Sequence, residues 1–173
     1  MYGTRVALTR ERGSNAKLQR LLEKEGIECV EIPCIAFSPG QDLGRLVKEM
    51  LENDVVVISS PHAASVFVDC WNQSGKPKVR VSAVGKGTSK PLQDAGITPF
   101  FEPSDATALT LSAELPDSFG KRVLYPTSAI ADNTMQKGLE QRGFQVTRLN
   151  TYETVEASWS DFDIKGRSLF LHN

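Results

Sequence analysis

Three β-branched apolar runs, each broken by a loop of small, hydroxyl- or glycine-bearing residues that opens a helix, constrain this chain most. They are VVVISSPHAAS from residue 55, VRVSAVGKGTS from residue 79 and RVLYPTSAIAD from residue 122. Runs of Val, Ile and Leu without polar alternation suit strands buried on both faces, and each is followed by a segment long enough for a crossover helix. Right-handed crossovers then put all three loops on one edge of a parallel sheet. In open α/β sheets ligands bind beyond the carboxyl ends of the strands, where first-turn N–H groups and the helix dipole favour anions. The pattern predicts an α/β fold on a doubly wound parallel sheet and an anionic small molecule as its ligand.

Several classes are excluded at this level. With 173 residues, 40% of them hydrophobic, the chain can bury one good core or two small ones. A net charge of -1 with scattered Lys and Arg offers no basic face, so no nucleic-acid partner is expected. No run approaches the roughly 20 apolar residues that span a bilayer, and the N-terminus enters a strand almost at once, so neither a membrane span nor a leader segment is expected. Cys29, Cys34 and Cys70 are odd in number and lack C-x-x-C or Cys/His spacing, which reads as small buried hydrophobes in a reducing compartment. His62 and His172 are far apart and unsupported by nearby carboxylates, so no metal site is expected, and His62 reads as a surface residue in the first turn of a helix.

Caps and breakers divide the chain into alternating elements. Strands are expected at Arg5 to Thr9, Glu28 to Ile32, Asp54 to Ile58, Arg80 to Val84, Thr98 to Phe101, Arg122 to Tyr125 and Gln145 to Tyr152. Helices are expected from Ser14 or Asn15 to Lys24, Asp42 to Leu51, Ala63 to Trp71, Thr88 to Ala95, Thr107 to Leu115 and Asn133 to Arg142. Pro33 to Pro39 reads as an edge or linker segment, because proline cannot donate to a ladder. Five strands from Asp54 onward make a complete doubly wound unit, expected in flavodoxin-like order. The first 35 residues bury too little to stand alone. The tail EASWSDFDIKGRSLFLHN holds one possible strand, Ser168 to Leu171.

VALTRERGSNAKLQRLLEKEGIECVEIPCI, VISSPHAASVF, VSAVGKGTS, FEPSDATALTLSAEL, and VLYPTSA followed by RGFQVTRLNTYETV together resemble the uroporphyrinogen-III synthase family, its plant form in particular, over about residues 5 to 156. Each motif is weak alone, and their order makes the set specific. The resemblance implies two flavodoxin-like doubly wound domains joined by a two-stranded linker, the first of them discontinuous. Residues 1–35 then open the first domain, residues 36–153 form the complete second domain, and residues 154–173 are a divergent tail where the closing half of the first domain is expected. The resemblance also implies a cofactor-free cyclisation: hydroxymethylbilane loses its terminal hydroxyl as water and closes through a spiro intermediate with ring D inverted, so the protein controls conformation more than it activates bonds. Plant members act in the chloroplast, and the family is implied to be monomeric.

A polycarboxylate needs many donors. Backbone N–H groups and hydroxyls at Ser59, Ser60, Ala63, Gly85, Thr88, Thr127 and Ser128 are therefore candidate substrate contacts, and Arg10, after the first strand, is a candidate partner for a carboxylate. The same residues also suit plain helix caps and turns. Tyr152 matches the family's cleft-facing tyrosine and is the candidate catalytic residue, a phenol that hydrogen-bonds the departing hydroxyl; its other reading is an aromatic packed at a strand end. Two rival functions stand beside the synthase. One is a catalytically incompetent variant that binds tetrapyrroles or acts as an interaction module. The other is a nucleotide or phosphate binder suggested by GKGTS, which fits neither G-x-x-x-x-G-K-[ST] nor G-x-G-x-x-G. The apolar faces of Val6 to Leu8 and Val30 to Ile32 are expected to pair with the tail, to self-associate or to stay mobile.

Overall fold

The computed structural model describes residues 4–160 and residue 164. The chain divides into two compact units, one of residues 1–38 with 154–173 and one of residues 39–153.

In the first unit, β1 (Arg5–Leu8) and β2 (Glu28–Glu31) pair in parallel, Arg5 opposite Glu28 through Leu8 opposite Glu31, with α1 (Ala16–Lys24) as the crossover. Gly26 adopts a positive φ of 73° just past the helix, a conformation cheap only for glycine. Leu8 and Ile32 are buried, while Leu18 and Leu21 on α1 are about half exposed. In the segment after residue 153, Ala157 N–H donates to Cys34 O at 3.2 Å and Trp159 Nε1 donates to Pro33 O at 2.6 Å, both acceptors lying just past the apolar stretch Val30 to Ile32. The strand expected over Ser168–Leu171, like His172, lies outside the described residues.

The second unit carries the predicted alternation. β3 (Ile35–Pro39) leads in from the first unit, as the proline-flanked edge segment suggested, and a 3₁₀ turn at Leu43–Arg45 precedes α2 (Leu46–Glu52). There follow β4 (Val55–Ile58), α3 (Pro61–Gln73), β5 (Val81–Ala83), α4 (Lys86–Asp94), α5 (Ala108–Glu114), β6 (Arg122–Ser128), α6 (Thr134–Gln141) and β7 (Gln145–Glu156). The sheet order is β3-β7-β6-β4-β5, and β4 pairs in parallel with both β5 and β6, as β6 does with β7. The α/β class with a parallel-dominated sheet is thus as expected. Because the chain moves from β4 outward to β5 and later returns to β6 on the other side, the switch point of the winding falls between β4 and β6.

Side-chain alternation splits the core between the two faces of the sheet. Val55, Val57, Val123 and Tyr125 join Leu111 and Leu115 of the α5 region and Met135 and Leu139 of α6 in one cluster. Val56, Ile58 and Leu124 alternate with them, and Leu46, Met50, Phe67 and Leu92 supply further fully buried side chains from α2, α3 and α4. Burying such side chains contributes about 1.5–3 kcal/mol each.

Three expectations need correction. Thr98 to Phe101 forms no strand, only an isolated parallel bridge from Phe101 to Ser82, because Pro99 lacks the N–H that a ladder needs there. β6 runs three residues past Tyr125, so Pro126, Thr127 and Ser128 are strand and not loop: their register with β7 continues after that with β4 has ended at Leu124, and β7 pairing overrides local propensity. The cysteines are all free, but Cys34 is exposed and Cys29 and Cys70 are only half-buried.

Candidate functional site

The rim at the carboxyl ends of β4 and β6 is where a doubly wound sheet opens a crevice. Ser59 and Ser60 follow β4 directly, and Thr127 and Ser128 end β6. Ser60 caps α3: its backbone is extended, its Oγ accepts the Ala63 N–H at 3.0 Å, and Pro61 occupies the first helical turn, where its missing N–H costs nothing. The same Oγ lies 3.0 Å from the hydroxyl of Tyr152, 92 residues on. Ser59 Oγ lies 3.2 Å from the hydroxyl of Tyr125, which also accepts from Thr127 Oγ1 at 3.3 Å. Consecutive serines therefore each meet one phenol.

Tyr152 reaches this position through an irregularity in the ladder. Thr127 pairs with Asn150, yet Ser128 pairs with Tyr152, so Thr151 is an extra residue on β7. A bulge of this kind re-aims the side chains that follow it. Thr151 is fully buried, with its Oγ1 donating to Thr127 O at 3.4 Å, and Tyr152 O accepts the Ala129 N–H at 3.2 Å. Tyr152 is only 7% exposed. Burial pushes its phenol above the ordinary value, the hydrogen bond with Ser60 pulls the other way, and Tyr125 nearby adds to the rise. His62, read from sequence as a surface residue, is half-buried in the first turn of α3, its ring 4.6 Å from that of Tyr152 and edge-on at 70°.

The remaining candidates fall into place unevenly. Ser128 Oγ accepts the Ile130 N–H at 3.3 Å, closing the turn after β6. The Ala63 N–H is taken up by the Ser60 cap, and the Thr88 N–H donates to Gly85 O at 2.9 Å, so both donors serve helix ends. Gly85 caps α4, and a Cβ there would lie 2.7 Å from Ala106 Cβ, so packing of the following loop accounts for the glycine. Ser89 in the same motif donates to Glu102. Arg10 lies in the first unit, exposed on the bend after β1. Tyr125, His62 and Thr151 were missed. Tyr125 was legible only as the aromatic in VLYPTS, and its partner Ser59 is 66 residues away.

A hollow lined by Asn53, Asp54, Lys78 and Arg80 sits at the amino ends of β4 and β5, the opposite end from the hydroxyl cluster. Among the described residues no group of three or more His, Cys, Asp or Glu is arranged to hold a metal ion, and no helix is long and apolar enough to cross a membrane. What the rim presents is hydroxyl groups, first-turn helix ends and two buried phenols, an arrangement suited to hydrogen-bonding an anionic or hydroxyl-bearing ligand and to handing it a proton.

Comparison with known proteins points the same way. Residues 16–163 match the family model described as uroporphyrinogen-III synthase HemD. A rice (Oryza sativa subsp. japonica) protein, "Uroporphyrinogen-III synthase, chloroplastic", is 43% identical over 160 residues, covering 87% of this chain and 53% of the relative. The chain therefore spans about half the length of that relative. The Ruminiclostridium josui "Porphyrin biosynthesis protein HemD" is 25% identical over 89% of this chain. Among solved structures, a uroporphyrinogen III synthase from Thermus thermophilus superposes with a TM-score of 0.66 at 20% identity, covering 90% of this chain and 64% of the other. The Helicobacter pylori uroporphyrinogen-III synthetase gives 0.59 at 15%, covering 99% and 78%.

Proposed function

This chain belongs to the uroporphyrinogen-III synthase family, and from that premise we propose that it cyclises hydroxymethylbilane to uroporphyrinogen III, with loss of water and inversion of ring D. The observation that carries the proposal is the Tyr152 phenol, buried at the carboxyl rim of the sheet with its oxygen 3.0 Å from Ser60 Oγ. A phenol kept protonated by burial is suited to donate to a hydroxyl as it departs, and a weak acid suffices because the substrate's pyrrole nitrogens push that hydroxyl out. The reaction draws on no cofactor.

The substrate's carboxylates meet hydroxyls and N–H groups at Ser59, Ser60, Gly85, Thr127 and Ser128, while Ala63 and Thr88 contribute by fixing the helix ends that carry them. Arg10, on the other unit, is proposed as a carboxylate contact by family resemblance. Holding the linear substrate in the geometry that favours ring inversion is the greater part of the catalysis, since free substrate closes to the uninverted isomer. By analogy with the rice relative, the site of action is the chloroplast.

The test is to incubate the purified chain with hydroxymethylbilane and separate uroporphyrinogen isomers I and III by chromatography. Isomer III above the uncatalysed background supports the proposal. Isomer I alone, with the product or its precursor still raising the melting temperature, reassigns the chain as a tetrapyrrole-binding module.

A further inference from the structure

We propose that the hollow at the amino ends of β4 and β5 is a second ligand site, one that takes a small dianion carried on an apolar body, of the class of aromatic dicarboxylates. The inference rests on this end of the sheet alone and does not depend on the synthase reading.

The hollow measures about 400 Å³, a size common among small-molecule sites. Its polar wall carries two cations, Lys78 and Arg80, on alternate residues of the segment that enters β5. Among the described residues neither side chain has a hydrogen bond or an ion pair. Every other arginine of the second unit is engaged: Arg45 and Arg122 hold carboxylates at 3.0 Å and 2.7 Å, while Arg142 and Arg148 each donate to a backbone carbonyl at 2.7 Å. Asp54 also lines the hollow, but both its oxygens are taken by Arg122, through the guanidinium at 2.7 Å and the backbone N–H at 3.0 Å. Its charge is therefore already matched, and the Lys78–Arg80 pair is left for an external anion.

The backbone that carries these cations is fixed in advance. Lys76 adopts a left-handed φ of 59°, costly for a residue with a side chain, and its N–H donates to Trp71 O at 2.9 Å. Trp71 Nε1 donates to Pro77 O at 2.8 Å, the Lys76 ammonium lies 5.5 Å from the centre of the indole ring, and Arg80 O accepts the Val56 N–H at 2.8 Å. Residues 77–80 are thus tied to α3 at one end and to β4 at the other, so this stretch of chain is ordered before any ligand arrives.

The remaining wall is apolar. Leu51 at the end of α2 is 62% exposed and Val79 is half-buried, and neither belongs to the buried core. A bare inorganic anion would meet the cations and leave both side chains wet. A ring bearing two carboxylates covers them, with Arg80 able to take one carboxylate through paired N–H groups and Lys78 the other as a point charge.

The test titrates the full, isotope-labelled 173-residue chain with isophthalate in low salt, followed by amide resonances, with neutral isophthalamide as the control. Saturable shifts should group on Leu51, Asn53, Lys78, Val79 and Arg80 and be absent with isophthalamide. Lys78→Gln combined with Arg80→Gln should weaken binding at least about tenfold through lost charge-assisted hydrogen bonds, and Leu51→Ala about threefold through lost apolar contact. Lys137→Gln on α6 should change nothing. Lys78, Arg80 and Leu51 are all exposed, so the variants should fold, and unshifted resonances from the rest of the sheet verify it. Shifts that fail to saturate, that scatter over other basic residues, or that persist at equal affinity in the double variant overturn the proposal. Unchanged affinity in Leu51→Ala overturns it too, because the hollow is then a plain ionic patch.

Discussion

Gly40→Ala should damage the molecule through backbone contact with the strand that carries Tyr152. Gly40 is buried at the start of the second unit, where its N–H donates to Thr151 O at 3.0 Å. A Cβ at this position would lie 2.7 Å from Tyr152 N and 2.8 Å from Asn150 C, closer still to Asn150 O, where 3.4 Å begins ordinary contact. None of these atoms belongs to a flexible side chain. β7 must therefore retreat by at least about 0.7 Å at the bulge, loosening the Gly40–Thr151 bond together with the two between Asp42 and Asn150, both 3.1 Å. Overpacking of this kind costs about 1–3 kcal/mol, and partial loss of hydrogen bonds adds about 1 more. At this chain length that total lowers the melting temperature by roughly 4–16 °C. Gly44→Ala is the control: nothing lies within 4 Å of its Cβ and it carries no positive φ, so it should be neutral or slightly stabilising. Thermal and urea unfolding followed by circular dichroism measure both. Gly40→Ala within about 0.5 kcal/mol of wild type would refute the close approach.

Two further outcomes are expected. Tyr152→Phe should lower turnover about a hundredfold in the isomer assay, and a loss below about threefold would remove the proton-donor role, since a positioned general acid contributes at least the larger figure. At the opposite end of the strands, Asp54 accepts from the Arg122 guanidinium at 2.7 Å and the Arg122 N–H at 3.0 Å, which hold its carboxyl below the usual range. A lowered folded value means stabilisation that is complete above the unfolded value near about 3.9 and lost as pH falls through the folded one. The urea midpoints of wild type and Asp54→Asn should therefore differ at neutral pH and converge in that acid window; a gap independent of pH would exclude the pair.

Features decided within a few residues were legible in the chain itself. The apolar runs became β4, β5 and β6, and the helix expected from Ala63 to Trp71 formed as α3, starting two residues earlier at Pro61 with Ser60 as its cap. The family motifs were readable for the same reason. Where pairing is non-local, local signals were insufficient. Thr98 to Phe101 reads as a strand by composition but makes a single bridge, and the strand expected to end at Tyr125 continues through Pro126 to Ser128 in β6.

The amino-acid order alone determined that hydroxyl-rich turns follow buried strands and that these turns share one edge, because crossover handedness leaves few alternatives. Only the tertiary structure decided what those hydroxyls touch. Ser60 meets Tyr152 across 92 residues because β7 pairs with β6 and one extra residue, Thr151, shifts the register there. A one-residue slip in a strand reverses which face a side chain takes, and no local propensity encodes it.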